Sequence, residues 1–274
     1  MKVLGIDFTS RPTRRKPITC CVCRLAGTRL HAELLVEWVD FTGFEQALAR
    51  PGPWIAGADF PFGFARRFIK TIGWPADWQA YMRHVGDMSR ADFRRALDHY
   101  RHGRAAGDKE HRRATDILAG AISPQKLYGT PVGLMLYEGV PRLLDAGVSI
   151  PGLHQGDPER IVVEAYPGLL ARRLIGRRSY KSDDTGRQDA ARGQAREDLL
   201  AALVGGDLAV SHNIAPVITD AVAGKLRNDA GGDRIDALLC AVQAAWSWTR
   251  RADNFGLPAS IDPLEGWIVA SQLR

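Results

Sequence analysis

Short apolar runs open the chain, and helical spacing takes over after residue 64. Residues 2–8 form an apolar run interrupted near its end by Asp7, as in a short buried strand. Residues 9–17 are basic and turn-rich, with Pro12 and Pro17. Residues 18–25 predict a second strand, and Ala26-Gly27-Thr28 a hairpin turn. Residues 29–38 fit either period alone; the hairpin makes them a third strand. A short helix over 44–49 is stopped by Pro51-Gly52-Pro53. Residues 54–59 predict a fourth strand, again ending in an acid, Asp59.

From 64 to about 147 the apolar residues recur at helical spacing among charges, over 78–85, 90–101, 109–122 and 132–146. Residues 161–164 predict a fifth strand, ending in Glu164. Helices are expected at 167–175, 196–204, 216–225 and 233–251. The polar, Gly-containing stretch 177–192 reads as a mobile loop, and 265–270 as a short strand or turn. These elements predict one α/β domain with a mixed, five-stranded sheet, flanking helices and a helical insertion over roughly 64–150.

Composition narrows the class. In 274 residues, 45% are hydrophobic and 25% charged, which excludes a disordered or fibrous chain. No apolar run reaches the length of a membrane span, and Asp7 comes too early for a signal peptide. A soluble, cytoplasmic protein is expected, with no membrane partner. Cys20, Cys21, Cys23 and Cys240 lack the spacing of a zinc site and read as buried thiols. The net charge is +6, and arginine dominates it: 30 of the 37 basic residues are Arg. Arginine suits bidentate contact with phosphate, so an anionic partner is favoured.

The acids carry the candidate chemistry. Asp7, Asp59 and Glu164 end predicted strands, where α/β sheets place ligands. Asp233 and Asp236 share one face at the start of the last long helix. Each acid alone is also what ends a strand or caps a turn; Asp233 in particular fits an N-cap. Together they would repel, and a divalent cation with oxygen ligands relieves that repulsion. Mg²⁺ or Mn²⁺ held this way can cleave phosphodiesters.

Four segments carry a resemblance: Gly5-Ile6-Asp7-Phe8, Ala58-Asp59-Phe60-Pro61-Phe62-Gly63, Glu164-Ala165-Tyr166-Pro167 and Asp233-Arg234-Ile235-Asp236-Ala237-Leu238. In order and spacing they resemble the DUF429 family, described as predicted nucleases of ribonuclease H-like fold. The likeness spans residues 3 to about 268. It implies a metal-dependent phosphodiesterase with Asp7, Asp59 and Asp236 as core ligands. Glu164 and Asp233 would be a fourth ligand or a water-orienting base. Ribonuclease H proper carries its second acid on the first helix; here that helix offers only Glu45, so strand four supplies it.

Residues 109–116 resemble a His/Arg-x-x-Thr-Asp element of the same family. His111 is a candidate proton donor to a leaving group and Arg112 a candidate phosphate ligand. Arg11, Arg14, Arg15 and Lys16 follow Asp7 directly, and Trp74, Trp78, Tyr81 and Tyr100 lie among further arginines. Arginine with aromatics suits nucleic acid, DNA or RNA. Two other classes remain open. One is a non-catalytic nucleotide or nucleic-acid-binding module. The other is an actin-like or sugar-kinase-like phosphotransferase, whose phosphate loop carries small Gly and Thr residues; Phe8-Thr9-Ser10-Arg11-Pro12 lacks that glycine. Walker and serine-hydrolase loops are absent from the sequence.

Overall fold

The computed structural model describes residues 1–271. Its strands are β1 (Lys2–Asp7), β2 (Ile18–Ala26), β3 (Arg29–Trp38), β4 (Trp54–Ala58), β5 (Val148–Ser149), β6 (Asp157–Glu164) and β7 (Ala215–Ile218). Between β3 and β4 lies α1 (Phe41–Leu48). After β4 come α2 (Arg66–Ile72), α3 (Trp78–Asp87), α4 (Arg90–Arg101), α5 (Ala114–Ala119) and α6 (Val132–Asp145). The remainder adds α7 (Pro167–Ile175), α8 (Ala190–Val204), α9 (Asp207–His212), α10 (Asp220–Arg227) and α11 (Asp233–Thr249).

The strands form one mixed sheet in the order β5-β6-β4-β1-β2-β3-β7. Only β2 runs against its neighbours; every other pairing is parallel. Strand alternation splits the core in two. Leu4, Ile6, Ala56, Ala58 and Val162 face α1 to α4 and α6. Val3, Ile55, Ile161 and Val163 face α7, α8, α10 and α11. Helices therefore cover both faces, as parallel strands require. All four cysteines are buried free thiols. None of the described helices is long and apolar enough to cross a membrane.

The α/β class holds, but the sheet has seven strands, not five. Two short edge strands make the difference. β5 is only two residues long. β7 falls inside the expected helix at 216–225: Pro216 to Ile218 pair with Leu30 to Ala32 of β3. Thr219 then accepts from the Val222 N–H, and α10 starts at Asp220. The expected helix at 109–122 shrinks to α5, because residues 109–112 run into it without helical bonds. Residues 265–270 contribute a single bridge, Ile268 to Glu164.

Candidate functional site

The site begins with a register. In the parallel pair β1–β4, Ile6 lies beside Ala58, and the Asp59 N–H donates to the Ile6 carbonyl at 2.9 Å. Asp7 and Asp59 are thus side by side just past the strand ends. Alternation from Val3 through Gly5 aims Asp7 at the α11 face; Ile55 and Gly57 do the same for Asp59.

α11 lies unusually close to that face. A Cβ on Gly5 would stand 1.9 Å from the Ala237 carbonyl oxygen, and one on Gly57 would stand 2.4 Å from that of Cys240. Only glycine at both positions permits this approach. The close packing lowers the first turn of α11 onto the strand ends, where Asp236 is fully buried. Gly232, at φ 79°, caps the helix, so Asp233 is its first residue rather than the cap.

Asp7, Asp59 and Asp236 therefore converge from three elements. Burial raises the Asp7 carboxyl well above the usual carboxylate range, and the charges of Asp236 and Asp233 add to it against Lys181. Burial, then Asp236, pushes Asp59 up to about 7, with Lys181 again opposing. The Lys181 ammonium and the Tyr180 hydroxyl both donate to Asp236. Burial raises the Tyr180 pKa, and the charge of Asp236 raises it further, so the hydroxyl stays protonated. Partial burial pulls Lys181 down, but Asp236, Tyr180 and Asp7 more than restore it, so the ammonium persists. Lys16 bridges Asp183 at 2.6 Å and Asp233 at 2.7 Å. Burial raises Asp233, and Lys16 opposes that shift.

Above the buried Asp236 and Tyr180 opens a cleft of about 710 Å³. Its walls include Asp7, Asp59, Asp233, Arg15, Lys16 and Lys181, with the hydroxyls of Thr9, Ser10 and Thr13. Arg14 is exposed beside Arg15, in a turn closed by Thr13 N–H to Lys16 carbonyl (3.0 Å). Arg11 lines a neighbouring depression with Arg90, Arg94 and Phe41.

Other expected site residues lie elsewhere. Glu164 pairs with Ala58, one position short of Asp59, so alternation turns it to the other face of the sheet. There Arg113 holds both its oxygens, at 2.5 and 2.8 Å, and the Phe62 N–H adds a bond of 3.0 Å. Glu164 has no carboxylate oxygen free for the cleft. His111 is buried outside it, with Nε2 2.7 Å from the Tyr100 hydroxyl; burial and then the charge of Arg67 lower its pKa. It is in a loop ahead of α5, as is the exposed Arg112; Arg113 is the arginine that turns inward. Trp74, Trp78, Tyr81 and Tyr100 all belong to the core, not to a stacking surface.

Lys181 and Tyr180 were not anticipated from sequence. They sit in the stretch expected to be a mobile loop, yet Tyr180 is buried and both are tied to Asp236. A lone aromatic in a polar run was the available signal. Arg113, flanked by the more conspicuous His111 and Arg112, carries no sequence signal of its own.

The donor chemistry of Asp7, Asp59 and Asp236 fits a hard divalent cation: oxygen ligands, with two of the carboxyls raised for want of positive charge. Their spacing is not that of an assembled metal centre. Among the described residues, no three His, Cys, Asp or Glu side chains are grouped to hold an ion. The Lys181 ammonium answers the charge of Asp236 instead. Comparison with protein-family models, curated proteins and solved structures returned no match.

Proposed function

We propose that the chain is a Mg²⁺- or Mn²⁺-dependent nuclease of ribonuclease H-like fold, resembling the DUF429 family. The observation that carries this reading is that Asp7 and Asp59 line a cleft, with Asp236 buried beneath them, and that the charge of the three is incompletely balanced. The order β3-β2-β1-β4-β6, with β2 alone antiparallel, agrees with that fold. Four free, buried thiols agree with a reducing, cytoplasmic setting.

Asp7, Asp59 and Asp236 would hold the ion. Bound there, it would activate water and stabilise the leaving oxygen of a phosphodiester. The chain's own groups do the rest. Tyr180 orients the Asp236 carboxylate by donating to Oδ1. Lys181 donates to Oδ2 of Asp236 and lines the cleft, where its ammonium would also attract a substrate phosphate. Lys16 fixes Asp233 and Asp183 at the rim, and Arg15 adds positive charge for the substrate backbone. Asp233 remains the candidate water-orienting base, once freed from Lys16.

A second reading is a non-catalytic nucleotide-binding module. The Lys181–Asp236 pair favours it, because it partly neutralises the cluster without an ion.

The test is calorimetric titration of Mn²⁺ into wild type and Asp7→Asn, each checked for native circular dichroism. The expected result is binding by wild type and loss of a site in the variant. Mn²⁺-dependent cutting of labelled DNA or RNA should follow the same pattern. No binding by either protein, even with an oligonucleotide present, would overturn the nuclease reading in favour of the second.

A further inference from the structure

Among the described residues, Tyr128 is the one aromatic whose side chain is mostly in water, at 54% exposure. It sits between α5 and α6, and the next three residues, Gly129, Thr130 and Pro131, line the carboxylate cleft. Its hydroxyl donates to Glu110 Oε2 at 3.4 Å, which orients the ring. The Arg101 guanidinium and the Lys126 ammonium each lie 5.1 Å from the ring centre. An apolar ring kept wet beside two cations, one residue before the wall of a cleft, contributes little to the core. It is well suited to stack a base and hold the attached phosphate.

A second feature belongs to the same cleft. The turn Thr13–Lys16 directs Lys16 inward to Asp233 and leaves Arg14 and Arg15 exposed. Among the described residues neither guanidinium has an ion pair or a side-chain hydrogen bond. The cleft thus has carboxylates and the unspent Arg15 in its walls, with the equally unspent Arg14 beside Arg15 and a wet aromatic flanked by cations next in sequence to its Gly129–Pro131 wall.

We infer that the cleft takes single-stranded nucleic acid, with one base stacked on Tyr128 and the backbone led past Lys181 toward Arg14 and Arg15. A duplex keeps its bases stacked on one another and offers none to the ring. This rests on the nuclease reading for what happens at the carboxylates, but binding and cleavage are read separately.

The test is fluorescence anisotropy with labelled oligonucleotides of about 12 residues, DNA and RNA, single-stranded and as duplexes, with Ca²⁺ in place of Mn²⁺. Wild type should bind the single strands more tightly than the duplexes. Tyr128→Ala should weaken single-strand binding about 5- to 100-fold with unchanged melting temperature, and Tyr128→Trp should restore it. Replacing Arg14 and Arg15 by Ala should flatten the log–log salt slope by about 1.4. Equal affinity for both forms, no binding, or a Tyr128→Ala effect within about twofold would overturn the inference. Cutting of the same strands in Mn²⁺ is scored apart. Binding through Tyr128 without cutting would sink the nuclease reading and leave this inference standing. Cutting that ignores Tyr128 would do the reverse.

Discussion

Two sets of carboxylates lie on opposite faces of one sheet, and they are neutralised differently. On one face Glu164 and Asp116 share Arg113, which is 1% exposed. Five hydrogen bonds, to Asp116, Glu164 and the Glu265 carbonyl, use every N–H of that guanidinium. On the other face Asp7, Asp59 and Asp236 share the ammonium of Lys181, whose side chain is 42% exposed. Burial raises Glu164 as well, but Arg113 directly opposes the shift. Nothing comparable touches Asp7. The first set is closed and joins α5 to the sheet and to the C-terminal segment. The second is short of positive charge and borders an open cleft through Asp7, Asp59 and Lys181, which suits a cationic or phosphate-bearing ligand.

The sharpest way to break this contrast is Arg113→Met. It leaves Glu164 and Asp116 buried with one backbone N–H each and no opposing charge, and should cost about 3–5 kcal/mol in urea unfolding. A loss below ~1 kcal/mol would mean that the closed set is not holding the fold. Gly5→Ala acts on the open set alone. It forces α11 off the strands and should cost about 1–3 kcal/mol, with the acids displaced and Mn²⁺ affinity reduced.

Asp59→Asn tests the charge shortage through pH. Its folded pKa of about 7 lies above the ordinary 3.8. Its stabilising contribution is therefore full below the ordinary value and is lost as pH rises through about 7. Wild type should lose stability between pH 5 and pH 8.5. Asp59→Asn should lose on the order of 1 kcal/mol less over that range, by thermal melts in matched buffers. Equal slopes would place Asp59 in the closed class. The smallest effect belongs to Lys16→Met. Its two ion pairs are partly exposed, so denaturation should show less than ~1 kcal/mol.

Much of this was legible in the chain. The acids at strand ends, the hairpin and the helix beginning at Asp233 follow from local pattern. The face that each acid takes does not. It depends on the register of Ala58 against Glu164, a contact between residues far apart in sequence. β7 was hidden for a similar reason: four residues become a strand only because β3 offers them an edge. Lys181 was hidden by its polar setting, which reads as solvated until Tyr180 is seen to anchor it.

The sheet's unequal rims have a consequence for self-association. An open strand edge is a template for pairing with another chain. β5 ends one rim after two residues, too short to recruit a partner strand. At the other rim β7 carries Pro216, which has no N–H to donate, and covers only Arg29 to Ala32 of β3. The part of β3 beyond β7 carries Glu33 and Glu37, ion-paired with Arg24 and Arg234, so that stretch is flanked by charged side chains. One rim is limited by brevity and the other by a proline and charged side chains, features that discourage a strand edge from pairing with another copy.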